Sequence, residues 1–274
     1  MEITGDSIQA FKHWLINEEK RAATIQKYVR IIKNLMLFLS GREICKELIL
    51  EWKDSLITSA GLSPKTVNSY IAAFEAYCRF AEINIRLKYH RVQKKMFNDE
   101  SKNITKEEYN RLIKAAVKDE RTALVIETIG ATGIRVSELK FITFDAALRG
   151  SAVINLKGKV RTVLIPGKLC RKLIKYAKRH SITGEIFVTK SGKSLSRKYI
   201  WQKMKTLCKK AGVDKTKVFP HNLRHLFARL FYKTTRNLAY LADILGHSSI
   251  ETTRIYLVTG IQEHAKMIES MGMV

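Results

Sequence analysis

The sequence predicts a mainly α-helical protein with a small antiparallel β-sheet, an α+β fold, and three observations lead to this prediction. Along most of the chain, apolar residues recur at every third or fourth position, which is the period of a helix with one buried face. Two β-branched runs, at residues 153–156 and 160–165, flank a short turn at 157–159 and indicate a hairpin. The apolar run at 186–188 predicts one further strand.

The chain is predicted to contain two domains, residues 1–95 and 105–274, joined by a linker at 96–104. Thr105 and Glu108 have the spacing of a capping box, in which two side chains satisfy the first free backbone amides of a helix. We therefore expect the second domain to begin with a helix at this point.

The first domain is predicted to be a helical bundle. Asp6 with Gln9 is expected to cap its first helix, and Thr24 its second. A third helix is expected at about 46–58. Ser63 followed by proline has the pattern of a cap and a first helical residue, so the fourth helix is expected to begin there.

The formal net charge of +25, from 50 Lys and Arg against 25 Asp and Glu, is the strongest compositional signal. Such an excess implies a polyanionic partner. It is concentrated in the second part, which has 33 basic and 13 acidic residues, against 17 and 12 in residues 1–103. A membrane is disfavoured, because no basic amphipathic helix stands apart from the core pattern and no apolar run is long enough to span a bilayer.

The sequence predicts no metal, cofactor or disulfide framework. Its cysteines are scattered without a C-x-x-C pair, which favours a reducing compartment. It lacks both a carboxylate cluster for two-metal catalysis and a glycine loop of the Walker type for ATP. The four cysteines are Cys45, Cys78, Cys170 and Cys208.

A candidate phosphate-binding cluster lies near the C-terminus. His221 and Arg224 are three residues apart after a proline, so a helix beginning there would present both on one side. The arginine fork matches the oxygens of a phosphate, and a histidine can exchange a proton near neutral pH. Gly246 is expected to end a short apolar helix and to place His247 in a turn.

A second arginine is expected to join this cluster from upstream. The pair Thr132-Gly133 should break a buried helix, so that the next short helix presents Arg135. Glu138 lies three residues further on and is expected to orient the guanidinium.

The order of Arg135, Lys157, His221-x-x-Arg224, Gly246-His247 and Tyr256 resembles the tyrosine recombinases, the phage integrase and Xer group. The resemblance covers residues 105–260 by motifs and residues 1–95 by size and helical pattern. It implies a helical core-binding domain and a tyrosine-recombinase catalytic domain that together form a C-shaped DNA clamp. It also implies a site-specific recombinase that breaks and rejoins DNA strands without metal or ATP.

The resemblance gives each motif a role. Tyr256 is the nucleophile that forms a 3′-phosphotyrosyl intermediate, and Arg135 and Arg224 hold the phosphate oxygens. His221 and His247 are candidate proton-transfer or hydrogen-bonding groups. The general acid is expected at the hairpin turn, where Lys157 is preferred and Lys159 remains open. His225 is interpreted as structural.

The resemblance also implies partners. We expect double-stranded DNA with an inverted-repeat core site, a tetramer on two duplexes, and a cytoplasmic, nucleoid-associated protein of prokaryotic type. A helix at about 261–271 is expected to dock either on its own domain or on a neighbouring protomer. Whether an accessory protein or a partner recombinase takes part is left open.

Further DNA contacts are predicted in three places: the start of the fourth helix, the basic approach to the linker, and the start of a lysine-rich helix at about 194–211. The linker could follow the duplex or serve as a charged spacer. The residues are Lys65, Asn68, Arg91, Lys94, Lys95, Ser196, Arg197 and Tyr199.

Two alternative functions remain open at this point. A type IB-like topoisomerase uses similar chemistry without strand exchange, and a catalytically inactive regulator would bind DNA without cutting it. All three functions require binding that weakens steeply as salt increases.

Overall fold

The computed structural model describes residues 2–92, 100–156, 159–247, 249–254 and 270. Its backbone separates into two compact units, Met1–Lys94 and Lys95–Val274. We describe each unit by itself.

The first unit contains four helices around one apolar core. The core includes large side chains that are almost completely buried, among them Phe11, Leu35, Trp52, Phe74 and Tyr77. The second helix and the last helix each pack against all three of the others, so the two together form the centre of the bundle. The helices are α1 (Gly5–Asn17), α2 (Ala22–Leu39), α3 (Lys46–Thr58) and α4 (Pro64–Phe80).

Two of the predicted caps in this unit are wrong. Thr4, and not Asp6, caps α1 and forms a reciprocal capping box with Ser7. Burial of Ile3 before the cap and of Ile8 in the first turn fixes the earlier start, as in a hydrophobic staple. The second helix starts after Arg21 without a side-chain cap, so Thr24 lies inside it.

The other two predictions for this unit are confirmed. The third helix has the predicted bounds. The Ser63 hydroxyl accepts a hydrogen bond from the Thr66 amide, and proline is the first residue of α4. Both predictions depended on residues adjacent in sequence, which is why local pattern was sufficient.

The second unit consists of helices and one hairpin. Thr105 and Glu108 form the predicted capping box at its first helix. A 3-10 helix, Val136–Phe141, follows the helix at Glu120–Thr132. The elements are α5 (Lys106–Ala115), α6 (Glu120–Thr132), α7 (Phe144–Arg149), β1 (Ser151–Leu156), β2 (Lys159–Leu164), α8 (Gly167–Arg179), α9 (Arg197–Ala211), α10 (Pro220–Thr235), α11 (Leu238–Leu245) and α12 (Ile250–Arg254).

Helix α6 lies at the centre of the second unit. Leu124, Val125, Ile126 and Ile129 are buried, as its apolar sequence predicts. It packs against α5, α8, α9 and α10. Its C-terminal end is thereby held against α10, which carries His221 and Arg224. Within the described residues, no helix is both long and apolar enough to cross a membrane.

The hairpin is antiparallel, with Ser151 opposite Leu164 at its open end and Leu156 opposite Lys159 at its turn. The third strand predicted at 186–188 is wrong for the described residues, since Val188 forms only an isolated bridge to Ser194. Ile186 and Phe187 are completely buried. The apolar run therefore reflects core packing rather than a sheet ladder.

Candidate active site

Arg224 is the centre of a polar cluster where three segments meet. It lies in the second turn of α10, and the residue is 1 % exposed. One terminal nitrogen donates to the Gly133 carbonyl, and the other donates to the Leu245 carbonyl at 2.8 Å. The second nitrogen also lies 2.9 Å from Nε2 of His247. These contacts fix the plane of the guanidinium.

Gly133 permits this close approach. It ends α6 in the left-handed conformation, with φ of +63°. A Cβ atom there would lie 2.4 Å from Phe227 and 3.0 Å from Leu245. A larger residue would therefore push α10 and α11 away from the carbonyl that Arg224 uses.

Arg135 is oriented by Glu138, as the spacing predicts. Its backbone amide donates to Oε2 of Glu138 at 2.8 Å, and its Nη1 donates to Oε1 at 2.9 Å. The arginine side chain is 41 % exposed, whereas the carboxylate is only 3 % exposed. The guanidinium thus remains accessible while a buried anion holds it.

Arg161 also belongs to this cluster, although its position in the sequence did not predict this. Its Nη2 lies 2.7 Å from Oε2 of Glu138, and its Nη1 donates to the carbonyl of Ile244. The Lys-Gly-Lys-Val-Arg segment contained the residue, but spacing alone could not show which face of the strand it occupies.

Burial by itself would raise the pKa of Glu138. The hydrogen bond from the Arg135 amide and the positive charge of Arg161 outweigh this effect, and the net pKa is lowered. The carboxylate therefore stays ionised between the two guanidinium groups at neutral pH.

His247 is held from both sides of its ring. Gly246 ends α11 with φ of +62°, and the His247 amide donates to the Ala242 carbonyl at 3.0 Å. Because arginine can only donate, Nε2 accepts from Arg224, and Nδ1 must carry the proton. Nδ1 then donates to Oγ1 of Thr253, which lies 2.8 Å away and is completely buried. Thr253 is a second residue that the sequence analysis missed.

His221 and His225 form a pair on α10. Their rings meet edge to face, with centroids 4.6 Å apart. His221 is exposed and His225 is partly buried. The Asn222 amide between them donates to the carbonyls of Lys102 and Lys217, at 2.9 and 2.7 Å, and so holds the start of the helix.

All three histidines are predominantly neutral at pH 7. Burial, followed by the positive charges of Arg224 and Arg135, lowers the pKa of His247 to about 4. Burial, followed by the neighbouring His221, lowers the pKa of His225 to about 3. Desolvation by surrounding atoms and the charge of Arg224 also lower the pKa of His221, although its ring is accessible. A neutral imidazole can accept a proton, as a general base must.

These shifts predict that the second unit loses stability in acid. The folded-state pKa values of about 4 and 3 for His247 and His225 lie below the value of about 6.5 expected in the unfolded chain. Protons therefore bind preferentially to the unfolded chain, and stability present above pH 6.5 is lost as the pH falls toward 4.

Hydrogen exchange of α10 peptides in urea at pH 7.5, 6 and 5 would measure this loss. We expect the midpoint for opening to fall at each step, and His225→Gln to reduce the dependence. A midpoint that does not change between pH 7.5 and 5 would contradict the prediction.

The structure describes six of the eight predicted DNA-contact residues, and these six divide into two groups. Lys65, Arg91 and Arg197 are exposed. Three others have structural partners: the Asn68 amide pairs with the backbone of His90 at 2.8 and 2.9 Å, Ser196 caps α9, and the Tyr199 hydroxyl accepts from Arg121. DNA contact by any of them stays a prediction, and the structural roles of these three were not foreseen.

Several predicted site residues lie outside the described residues. They are Tyr256, Lys157, Lys94, Lys95 and the helix expected at about 261–271. Lys159 is the first residue of β2, but its side chain is also outside the description. Among the residues that are described, no group of three or more His, Cys, Asp or Glu could hold a metal ion.

The sequence profile of the phage integrase family matches residues 102–260, which contain the whole cluster around Arg224. The chain belongs to the phage integrase family. It is also 31 % identical over 269 residues to the tyrosine recombinase XerA of Pyrococcus furiosus, an alignment that covers 93 % of this chain and 90 % of the relative. The predicted membership of the tyrosine recombinases is therefore confirmed.

Solved structures of integrase-family enzymes confirm the predicted fold. XerH bound to its difH substrate, in a pre-cleavage complex, superimposes with a TM-score of 0.69 at 20 % identity, covering 97 % of this chain and 84 % of that one. A lambda integrase tetramer on a Holliday junction gives 0.72 at 18 % identity, covering 92 % and 76 %. At these identities the likeness establishes the fold alone.

Family membership and the relatives' function identify the chain as a site-specific DNA recombinase that breaks and rejoins DNA. The topoisomerase and inactive-regulator alternatives are not favoured, because the relatives are tyrosine recombinases. The positive charge of the second part has its explanation in this substrate.

Proposed function

We propose that this recombinase cleaves DNA through Tyr256, using the cluster around Arg224 to stabilise the reacting phosphate. The tyrosine oxygen forms a bond to phosphorus while the bond from phosphorus to the 5′ oxygen breaks. The products are a 3′-phosphotyrosyl link and a free 5′-hydroxyl. Because the link conserves the phosphodiester energy, a 5′-hydroxyl of another strand can reverse the step, and recombination follows.

The observation that supports this proposal is the preorganised pair of arginines. Arg224 is held by the Gly133 and Leu245 carbonyls, and Arg135 by Glu138. Donors that are fixed before the reaction stabilise the negative charge that builds on the nonbridging oxygens, without a reorganisation cost. Two guanidinium groups in one cluster suit the doubly charged pentacovalent phosphorus.

The proton transfers are assigned to neighbouring groups. An unaided tyrosine is almost fully protonated at pH 7, so a base must take its proton. His221 is accessible and neutral and is the candidate for this step, and His247 is a candidate hydrogen-bonding partner of the phosphate. Lys157, with Lys159 as the alternative, would protonate the leaving 5′ oxygen, as the family resemblance implies.

The roles of the two parts of the chain and its assembly on DNA are further parts of this proposal. We assign residues 1–95 to core binding and residues 105–274 to catalysis on the same DNA. One of the related structures is a tetramer on a Holliday junction, and we propose a tetramer on two inverted-repeat duplexes here, with the segment at 261–271 exchanged between protomers. The protein would act in the cytoplasm, on nucleoid DNA.

Covalent capture tests this function. The full chain is mixed with fragmented DNA from its host, the reaction is stopped with denaturant, and the attached DNA is sequenced. After nuclease digestion, mass spectrometry locates the modified residue. We expect DNA from one inverted repeat, attached to the peptide that contains Tyr256.

Other outcomes would change the proposal. Attachment at scattered sequences would favour topoisomerase action, and attachment at another residue would exclude Tyr256 as the nucleophile. Salt-sensitive binding without a covalent product, including in the presence of host extract, would contradict catalysis by this chain.

Thr253 provides a further test of the site. Thr253→Val removes the hydroxyl that accepts from Nδ1 of His247, and with it a hydrogen bond that orients the ring. We expect cleavage to slow by about 10- to 100-fold, because a ring displaced by an ångström no longer meets the phosphate. Thr253→Ser should keep most of the activity.

Imidazole NMR provides a readout that a purely structural role would not change. In the wild type, the Nδ1 proton of His247 should exchange slowly with water and give an observable resonance, and Thr253→Val should accelerate this exchange. The exposed neighbour Thr252 supplies the matched control, Thr252→Val. Equal cleavage by the two valine variants would refute the assigned role.

A further inference from the structure

Arg161 connects three parts of the active site through one side chain. The residue lies on β2, and its side chain is only 12 % exposed. One end of its guanidinium contacts Oε2 of Glu138, and the other donates to the carbonyl of Ile244 in the last turn of α11. The hairpin, the 3-10 helix after Arg135 and the turn before His247 therefore converge on this residue.

Glu138 is shared between two arginines. Its Oε2 accepts from the Arg135 amide at 2.8 Å and from Arg161 at 2.7 Å, while its Oε1 accepts from the Arg135 side chain at 2.9 Å. Three charge-assisted or backbone hydrogen bonds leave this buried carboxylate little freedom to rotate. Without Arg161, Arg135 would be the only charged partner of Glu138 among these contacts. Glu138 would then have no second cation to fix its orientation while it orients Arg135.

The second contact supports the turn that carries His247. The Ile244 carbonyl belongs to the free C-terminal end of α11, where a cation is favourable. Gly246 makes room for the arginine, since a Cβ atom there would lie 2.3 Å from Cδ and 2.8 Å from Nε of Arg161. The glycine is thus required both by its positive φ and by the passage of this side chain.

We propose that Arg161 is a positioning residue of the recombination reaction. It holds Arg135 through Glu138, and His247 through the carbonyl of Ile244, and it links both to the hairpin. The inference rests on the proposed function and extends it to a residue that acts through others rather than on the phosphate itself. Its guanidinium can serve both acceptors because the fork is planar and rigid, which a lysine ammonium cannot reproduce.

Cleavage assays on a duplex containing the captured site test this proposal. We expect Arg161→Gln to cleave about 100-fold more slowly than the wild type, the loss typical of a catalytic group displaced by an ångström. Arg161→Lys should recover part of the rate through its ion pair with Glu138. Arg171→Gln removes the same charge from an exposed position on α8 and should remain within about 2-fold of the wild type.

A methylphosphonate at the cleaved position separates positioning from general stabilisation of the fold. This linkage replaces one charged nonbridging oxygen by a methyl group. Its transition state carries less negative charge, so its cleavage rate depends less on correctly placed arginines. We expect the defect of Arg161→Gln to shrink to a few-fold on this substrate. An equal defect on both substrates would mean that Arg161 only stabilises the fold, which would contradict the proposal. Rescue by sulfur at the 5′ leaving position would show instead that it acts through the hairpin lysine.

Arginine NMR tests the proposal without DNA cleavage. Rotation about the guanidinium bond of Arg135 should be slow in the wild type and in Arg171→Gln, and fast in Arg161→Gln. Slow rotation in all three proteins would overturn the inference. If the wild type cleaves no DNA, the proposed function fails, while this measurement still decides whether Arg161 holds Arg135.

Discussion

Tyr256→Phe should abolish the covalent protein–DNA product while leaving DNA binding within a few-fold of the wild type. The substitution removes only the oxygen that bonds to phosphorus, and no step of the proposed reaction can proceed without it. Binding depends on many phosphate contacts to a strongly basic protein, so one hydroxyl contributes little to it. Denaturing gels would measure the product, and titration at fixed salt would measure the affinity.

Tyr240→Phe is the matched control, because it removes the same hydroxyl from an exposed tyrosine on α11. It should cleave at the wild-type rate. Residual covalent product with Tyr256→Phe would mean that a different residue attacks the phosphate, and peptide mapping would then identify it. Loss of binding together with cleavage would mean instead that the substitution disturbs the fold.

Arg224→Lys should slow cleavage by about 100- to 1,000-fold, which is the usual effect of losing one donor to a developing oxyanion. An ammonium group cannot donate to the Gly133 and Leu245 carbonyls and to His247 from one fixed plane. Since two buried carbonyls lose their donors, the free energy of unfolding should also fall, by about 1–3 kcal/mol for each unsatisfied group.

Arg229→Lys separates these two effects. Arg229 lies on the same helix and donates to the Ile104 carbonyl at 2.6 Å, but it has no place in the proposed chemistry. We expect it to lose stability and to keep its cleavage rate at a temperature well below unfolding. If Arg224→Lys cleaves as fast as Arg229→Lys there, Arg224 does not act on the phosphate.

Features set by neighbours along the chain were predictable. The capping box at Thr105, the Ser63 cap and the bounds of α3 follow from residues one to four positions apart. The contact of Arg135 with Glu138 follows from the same short range. Such spacings determine local geometry because a helical turn fixes where each side chain points.

Features that depend on burial were less predictable. The cap of α1 moved to Thr4 because Ile3 packs into the core, and the apolar run at 186–188 packs without forming a strand. Sequence pattern shows that these residues are apolar, but the free energy that places them comes from contacts with distant segments.

The sequence by itself determined the type of reaction, because the residue types, their order and their spacing identify the family and name Arg135, Arg224 and His247. Only the tertiary structure decided how these residues are held. Arg161 contacts Glu138, 23 residues away in sequence, and Ile244, 83 residues away. Thr253 contacts His247 because the short helix α12 packs beside that turn. Contacts between residues so far apart depend on how the elements pack, and no local period in the sequence records that packing.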